Sequence, residues 1–543
     1  MPRRALPSHR LLLIGYLATA CVYLFFLEPW GHDTWFHLQR LQDVEQQFDW
    51  AHLRAHFAEN AAQGKGLPVW IYYSQWAYWP ALFLTSLGVG PLISLKLIYC
   101  ALLALCGVGS YRLLRLHAGE EDAVFGALLF MTANYVIGEV FQRSAYAEFM
   151  SVALLPLLLV ALHRFVLDGD RRSGMMLVLL ASLMILFHPL SFMNAGVALV
   201  AYAAYIAIVW WIAFRRLLRL VPLFALALGL TAFYWLPAVI ETRYVLGGEG
   251  VRTPLRETFL WIGSYLNFSG ITNLGFVLTA LAPVVTACLL FRGHLPQAAS
   301  GRSSWPLVAG VFVYVFLTLR ISEPLYTSLS FLAANLWVWR VLFPMTLLVV
   351  FFVTVNLRVL PQRLRSDTAR GALAGLAALQ AVVLVLWNTA SELSLRHIGL
   401  REIERAVAVE SRRENDFGID EYLPQPRMLP RPGPQCRAVR TESPGGRYEM
   451  RLLIAAADAD VCIHIPRYWN TRYAAWIDGV ATPVYANADG EILLAPRGRA
   501  GQLRLRLTQP GYVKLSTFLS VIAAMLLVVS VARRPREPRG RLP

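Results

Sequence analysis

A polar segment directly follows the first apolar run of the chain. Residues 31–37 read GHDTWFH, and an arginine stands at position 40. Asp33, His37 and Arg40 are spaced by four and three residues, so a helix beginning at Asp33 would align them on one face. Asp33 could act as a general base toward a hydroxyl group, help to hold a divalent cation (Mg²⁺ or Mn²⁺), or simply cap the helix. We predict a catalytic role for Asp33 and substrate contacts for His37 and Arg40.

A second polar group lies between two later apolar runs and comprises Glu139, Arg143 and Glu148. Charged side chains at an apolar boundary are costly unless they are paired or used. Glu139 and Arg143 could form an ion pair four residues apart on a helix. Glu148 would remain, so we predict it as a second catalytic carboxylate, with Arg143 as a substrate contact.

Two further polar residues, His188 and Arg340, stand at ends of apolar runs that are predicted to lie on the same side of the membrane as Asp33 and Glu148. His188 precedes Pro189, and it could contact substrate or simply lie at the membrane surface. Arg340 follows the sequence WVW at 337–339 and offers a fork of donors suited to phosphate oxygens. An ion pair with Glu323 is the alternative for Arg340. We predict both His188 and Arg340 as substrate-binding.

The composition requires a membrane around these residues. Of 543 residues, 57% are hydrophobic and only 15% are charged, which is more apolar side chain than one soluble core can bury. The net charge of +16 comes from arginines concentrated in short connectors between apolar runs. That distribution reports membrane topology and gives no indication of nucleic-acid binding.

The apolar runs predict an α-helical, multi-pass membrane protein with about twelve transmembrane helices. They lie near residues 11–27, 92–113, 122–138, 148–167, 173–188, 195–213, 218–240, 273–291, 305–319, 340–357, 371–388 and 513–532. Arginines fall in alternate connectors and at both termini, which places those parts in the cytoplasm. The predicted organisation is a membrane domain over 1–388 with a long outer loop at 28–91, an outer domain over 389–512, and a final helix with a basic tail over 513–543.

The outer loop and the outer domain differ in pattern. From Thr34 the apolar residues recur at helical spacing, which predicts an amphipathic helix on the membrane, and an aromatic stretch follows at 68–84. The outer domain begins with a proline-rich lead and continues with alternating strands separated by turn signals, which predicts a small β-sandwich-like fold. Cys436 and Cys462 are the two cysteines of this domain, so we predict a disulfide between them, with two free thiols as the alternative.

Several motifs resemble the GT-C superfamily of membrane glycosyltransferases. Residues 31–40, GHDTWFHLQR, are similar to its first-loop motif. RSAYAEF at 143–149, LLP at 154–156, FYWLP at 233–237 and WRVL at 339–342 resemble the bacterial membrane subgroup labelled 6-pyruvoyl-tetrahydropterin synthase-related. WIDG at 476–479 resembles YfhO-type proteins.

The resemblance implies transfer of a sugar from a polyprenyl-phosphate donor to an envelope glycan or lipid acceptor outside the cytoplasm. Asp33 would match the first-loop acid of the superfamily, and the protein would lie in the bacterial inner membrane with its site facing the periplasm. The sequence has no phosphate-binding glycine loop or dinucleotide-binding motif, which favours a donor carried in the membrane. A flippase or transporter of a lipid-linked sugar and a non-catalytic envelope assembly protein are the alternatives.

Overall fold

The computed structural model describes residues 8–26, 33–47, 57–58, 61–246, 255–260, 304–329, 337–356, 422–431, 438–440, 449–455 and 461–532. Within these ranges, five helices are long and apolar enough to cross a membrane. The number rises to seven if each of two bent helix pairs forms one span. The predicted spans at 273–291 and 371–388 lie outside the described residues, and the other ten predicted runs each overlap a described helix.

The first half of the chain contributes the helices that surround the predicted site. They are α1 (Ser8–Phe26), α2 (Thr34–Gln47), α3 (Ala61–Gly64), α4 (Val69–Tyr72), α5 (Trp79–Ser86), α6 (Pro91–Arg115), α7 (Glu120–Met131), α8 (Asn134–Ile137), α9 (Tyr146–Asp168) and α10 (Arg171–Phe187). A 3₁₀ turn, Gln75–Tyr78, precedes α5, and a π-type turn, Gly138–Gln142, follows α8.

The remaining helices complete the membrane domain. They are α11 (Pro189–Asn194), α12 (Gly196–Val209), α13 (Phe214–Leu217), α14 (Leu220–Leu230), α15 (Ala232–Glu241), α16 (Leu255–Thr258), α17 (Trp305–Thr318), α18 (Glu323–Ser328), α19 (Leu342–Asn356) and α20 (Gly511–Ala532). A 3₁₀ turn, Val338–Val341, leads into α19, and together they span Val338–Asn356.

Helix α9 is the centre of the membrane domain, because it packs against α6 on one side and α10 on the other. It is apolar around its whole circumference, as expected of a helix enclosed by other helices. Its first turn is also buried and carries Glu148. An enclosed helix of the bundle therefore presents an acid at one end.

Helix α2 confirms the predicted helix in the first loop. Its apolar face, Leu38, Leu41 and Val44, is buried in the main core together with Tyr78. We expected this face to lie on the membrane. The structure covers it with protein instead, because the aromatic stretch after α4 folds back under the helix. Burying these side chains in a packed core fixes the position of α2, and with it the positions of Asp33 and His37.

The C-terminal region folds into two four-stranded sheets around one apolar core. Its strands are β1 (Ala438–Arg440), β2 (Glu449–Ile454), β3 (Cys462–Tyr468), β4 (Tyr473–Ile477), β5 (Val480–Thr482), β6 (Val484–Ala486), β7 (Glu491–Leu494) and β8 (Gly501–Leu507). The strand orders are β1-β3-β7-β6 and β2-β8-β4-β5. Asp478 and Gly479 both have positive φ and close the two-residue β4–β5 turn, as the sequence predicts.

Cys462 at the start of β3 is disulfide-bonded. Cys21, Cys100 and Cys106 are free. Strand β1 pairs with β3 so that Ala438 lies opposite Cys462. Cys436 is two residues before Ala438, but it lies outside the described residues, so its pairing with Cys462 stays a prediction.

The β region is docked on the first loop and on the end of α15. The carboxylate of Glu241, the last residue of α15, accepts a hydrogen bond from Nε of Arg472 at 2.8 Å, and both side chains are excluded from solvent. Nζ of Lys65 lies 2.8 Å from the carboxylate of Glu491, and the amide of Tyr468 donates a hydrogen bond to the backbone carbonyl oxygen of Lys65 at 3.1 Å. These contacts place the β region beside the loop that carries Asp33.

Candidate active site

The hairpin between α8 and α9 brings the first loop and the predicted second acid together. The amide of Asp33 donates a hydrogen bond to the carbonyl oxygen of Arg143 at 2.7 Å. Ser144 adopts a positive φ of 55°, which lets the chain turn sharply from the π-type segment into α9. Asp33 and Glu148 therefore lie on the two sides of Arg143, although 115 positions separate them in the sequence.

Arg143 is the centre of a cluster of three carboxylates. Its Nη1 bonds Glu139, as predicted, and also lies 3.1 Å from Oε2 of Glu148, while its Nη2 lies 3.3 Å from Oδ2 of Asp33. The guanidinium also stacks over the ring of Trp339, 4.6 Å from its centroid. Arg143 is thus committed to protein contacts, and its clearest role is to hold the acids in place.

Glu148 receives hydrogen bonds on both of its carboxylate oxygens. Oε1 accepts from the hydroxyl of Tyr135 at 2.6 Å, and Oε2 faces both Arg143 and Nε of Arg340, the latter at 3.2 Å. Its side chain is 3% exposed. A carboxylate satisfied by this many donors is a weak base, and its geometry instead fixes the two guanidinium groups.

Arg340 projects from the 3₁₀ turn before α19. The predicted alternative partner, Glu323, pairs with Arg256 at 2.7 Å and lies 3.6 Å from Arg320. Among the described residues, Glu148 is the only ion-pair partner of Arg340. Contact through Nε alone leaves the two terminal nitrogens of its fork for another anion.

His37 is buried, and both of its ring nitrogens have protein partners. The amide of Tyr146 donates to Nε2 at 3.0 Å, which places the ring proton on Nδ1, 2.6 Å from the hydroxyl of Tyr78. Burial lowers the pKa of His37 to about 4, so the ring is neutral at physiological pH. His37 thus caps the first turn of α9, which carries Glu148, and its predicted substrate contact stays a prediction.

The hydrogen bonds of Arg40 and His188 go to residues outside the three-acid cluster. Nη1 of Arg40 bonds Asp43 at 2.9 Å, and of the described residues no other bonds this guanidinium. His188 caps α11 by accepting the amide of Ser191 at 3.2 Å, and it interacts electrostatically with Glu148. His188 therefore borders the cluster, whereas Arg40 is paired along its own helix.

Sequence reasoning missed the aromatic members of the site. Tyr135 lies within the apolar run predicted at 122–138, yet its hydroxyl donates a hydrogen bond to Glu148. Trp339 was noted only as a neighbour of Arg340, yet its ring supports Arg143. The signal available in the sequence was the position of both residues at the end of an apolar run, next to charged residues.

Metal binding was an open alternative for Asp33. Among the described residues, no group of three histidine, cysteine, aspartate or glutamate side chains is arranged to hold a metal ion. The three clustered acids converge on the guanidinium of Arg143, which supplies positive charge at the point where a cation would have to bind. This arrangement does not fit a divalent cation held by Asp33, Glu139 and Glu148 together.

Comparisons with known proteins connect this arrangement to a family. A family model described as 6-pyruvoyl-tetrahydropterin synthase related domain, membrane protein, matches residues 71–397. No curated protein matches the chain.

Two solved structures are similar in outline. The arabinofuranosyltransferase AftD from Mycobacteria shares 16% identity at a TM-score of 0.44, over 71% of this chain and 27% of its own. ArnT from Cupriavidus metallidurans, solved bound to undecaprenyl phosphate, shares 16% identity at a TM-score of 0.40, over 74% of each chain. The chain thus spans about a quarter of the length of AftD. The family match covers more than half of the sequence, and the chain belongs to the 6-pyruvoyl-tetrahydropterin synthase-related family of membrane proteins.

Proposed function

We propose that the protein is a membrane glycosyltransferase that moves a sugar from a polyprenyl-phosphate donor to a glycan or lipid acceptor of the cell envelope. The observation that carries this proposal is the unequal exposure of the three acids around Arg143. The side chain of Asp33 is 22% exposed, against 2% for Glu139 and 3% for Glu148. Asp33 is therefore the acid that an acceptor hydroxyl can reach.

The proposed reaction inverts the sugar at its anomeric carbon. Asp33 takes the proton of the acceptor hydroxyl while the oxygen of that hydroxyl forms a bond to the anomeric carbon. The bond from the carbon to the phosphate oxygen breaks, and its electron pair leaves with the polyprenyl phosphate. Arg340 lies against Glu148 through Nε, and its two terminal nitrogens neutralise the charge that develops on the phosphate.

The charged groups of the site lie at the ends of helices. Glu148 is in the first turn of α9, and Arg340 is in the turn that begins the span Val338–Asn356. A flippase that carries a charged headgroup through the bilayer would favour such groups near the middle of its helices. We infer from the arginine-rich connectors that this end of the bundle faces the periplasm of a bacterial inner membrane and that both termini are cytoplasmic.

Transfer from a radiolabelled polyprenyl-phosphate sugar to an envelope acceptor tests the proposal. The Asp33→Asn variant should lose about 10²- to 10⁴-fold in rate, because proton removal contributes about that much. Glu45→Gln is the matched control, since Glu45 lies exposed on the same helix α2 and should leave the rate unchanged.

Three results would contradict the proposal. If Asp33→Asn transfers sugar at the wild-type rate at equal membrane expression, Asp33 is not the base. If wild type moves the labelled lipid across vesicle membranes without releasing the sugar, the protein is a transporter. If Asp33→Ala has no effect in cells while deletion of 389–512 abolishes function, the protein acts in assembly.

A further inference from the structure

The sheet β2-β8-β4-β5 turns one face toward the apolar core of the β region and the other face away from it. Met450, Leu503 and Leu505 belong to the core face. Successive side chains of a strand point to opposite sides, so the residues between them lie on the second surface, which we call the outer face. Its members on the four strands are Glu449, Arg451, Leu453, Gln502, Arg504, Arg506, Ala474, Trp476 and Ala481.

The outer face carries an excess of positive charge. Its one acid, among the members just named, accepts hydrogen bonds from two arginines: Glu449 is bonded by Nε of Arg451 at 2.7 Å and by Nη2 of Arg504 at 2.6 Å. Both arginine side chains stay open to solvent, at 61% and 46% exposure. Arg506 lies opposite Glu449 in the β2–β8 register and is also exposed, and it forms no ion pair within the part of the chain that the structure describes. This surface therefore has guanidinium groups to offer to an anion.

Trp476 adds an aromatic ring to the same surface. It lies directly opposite Arg504 on β8 and opposite Ala481 on β5. The residue is half-buried, but it is not a member of the apolar core beneath the sheet. Its neighbours Ala474 and Ala481 are too small to cover an indole. Residues directly opposite each other have Cβ atoms about 5 Å apart, so the indole and the Arg504 guanidinium can contact one small unit of a ligand together.

We propose that the outer face binds an acidic glycan, with the indole of Trp476 against the C–H face of a sugar ring and with Arg504 and Arg506 on its carboxylates. A sugar acid combines an apolar ring face with a charged group in one small unit, which matches an indole beside a guanidinium fork. A second copy of the chain does not fit this surface, because it would bring like charges together. The inference rests on the proposed function, since it takes this glycan to be the acceptor.

Binding of hexagalacturonate to the purified full-length protein in detergent tests the inference without requiring transfer. Trp476→Ala removes the ring, so we expect about 3- to 10-fold weaker binding. Arg506→Gln removes one exposed charge and should weaken binding about 2- to 5-fold, with a smaller loss at high salt. Arg427→Gln is the matched control, because Arg427 is an exposed arginine of the turn Pro426–Met428, which precedes the segment bonded to β6 of the other sheet. Its hexagalacturonate affinity should equal that of the wild type.

A sugar-free anion of the same charge, hexaglutamate, separates ring stacking from simple attraction of charge. Trp476→Ala should bind hexaglutamate as the wild type does. The inference is wrong if the wild type does not bind hexagalacturonate, if Trp476→Ala binds it with wild-type affinity, or if Trp476→Ala loses as much affinity for hexaglutamate. It is also wrong if these variants weaken binding of dihexanoyl phosphatidylglycerol and leave hexagalacturonate binding intact, since the outer face would then be a surface for lipid headgroups.

Transfer by Asp33→Asn, measured in parallel, distinguishes this inference from the proposed function. Normal hexagalacturonate binding by Trp476→Ala, together with lost transfer by Asp33→Asn, would remove the outer face from the proposal and retain the base. Weakened binding by Trp476→Ala, together with unchanged transfer by Asp33→Asn, would retain the glycan-binding face and remove the base.

Discussion

The buried ion pair between Glu241 and Arg472 joins the β region to the end of α15. Glu241 is 0% exposed and the Arg472 side chain 2% exposed. At the 2.8 Å that separates Nε from Oε1, an effective dielectric constant of about 20 gives roughly 6 kcal/mol of attraction. Desolvation of the two ions costs several kcal/mol each, so the intact pair contributes little net stability.

Removing one partner of the pair destabilises the docked state far more than the small net contribution of the intact pair suggests. Glu241→Gln leaves the Arg472 guanidinium buried beside a neutral amide, and such uncompensated buried charges cost about 3–5 kcal/mol. The docked state should then open roughly 10²- to 4 × 10³-fold more often. Replacing both residues by methionine removes the orphaned charge along with its partner, so Glu241→Met combined with Arg472→Met should recover most of the loss.

Hydrogen exchange measured by mass spectrometry reports this opening. The informative amides are those of Leu246, which donates to Leu423, and Tyr468, which donates to Lys65. Both should exchange faster in Glu241→Gln, whereas amides between β4 and β8 should not change. Glu323→Gln is the control, because it breaks an ion pair that is open to solvent. Exchange within threefold of wild type at Leu246 and Tyr468 would refute the reasoning.

Two further predictions concern the disulfide and the buried histidine. Mass spectrometry of unreduced, proteolysed protein should yield one linked peptide containing Cys436 and Cys462, and a Cys462 linked to Cys288 would show the pairing to be wrong. The pKa of His37 lies below its ordinary value of 6.5, at about 4, so the neutral ring stabilises the fold fully above pH 6.5, and this contribution is lost as the pH falls toward 4. The unfolding temperature of the wild type should fall between pH 6.5 and pH 4, and that of His37→Gln should fall less. An equal pH dependence of the unfolding temperature in both proteins would contradict the lowered pKa of His37.

The membrane character and the element boundaries follow from local sequence patterns. Apolar runs of sufficient length form helices in a bilayer because every backbone amide must be bonded within its own segment. The alternation of apolar and polar residues in 448–507 predicts strands, because successive side chains of a strand point to opposite faces and one face of each sheet is buried. The helix from Thr34 was predicted by spacing alone, and Thr34–Gln47 confirms it.

The partners of the charged residues could not be predicted from spacing. The i,i+4 pair of Glu139 and Arg143 was foreseen, because helical geometry fixes it locally. That Arg143 also binds Asp33 and Glu148 depends on the turn at Ser144 and on how α2 packs beside α9. The sequence allows Arg340 either to bind phosphate or to pair with Glu323. The fold instead places Arg340 beside Glu148, and Glu323 pairs with Arg256.

The sequence by itself determined that this is a multi-pass membrane protein with an acid at the start of its first-loop helix and a β-rich C-terminal region. Those features depend on residue type and short periodicity, which act within one element. The tertiary structure decided which acid is accessible, that His37 caps α9 and that Arg340 meets Glu148. Those roles depend on contacts between residues more than 100 positions apart, because burial and charge pairing are set by packing and leave no periodic trace in the chain.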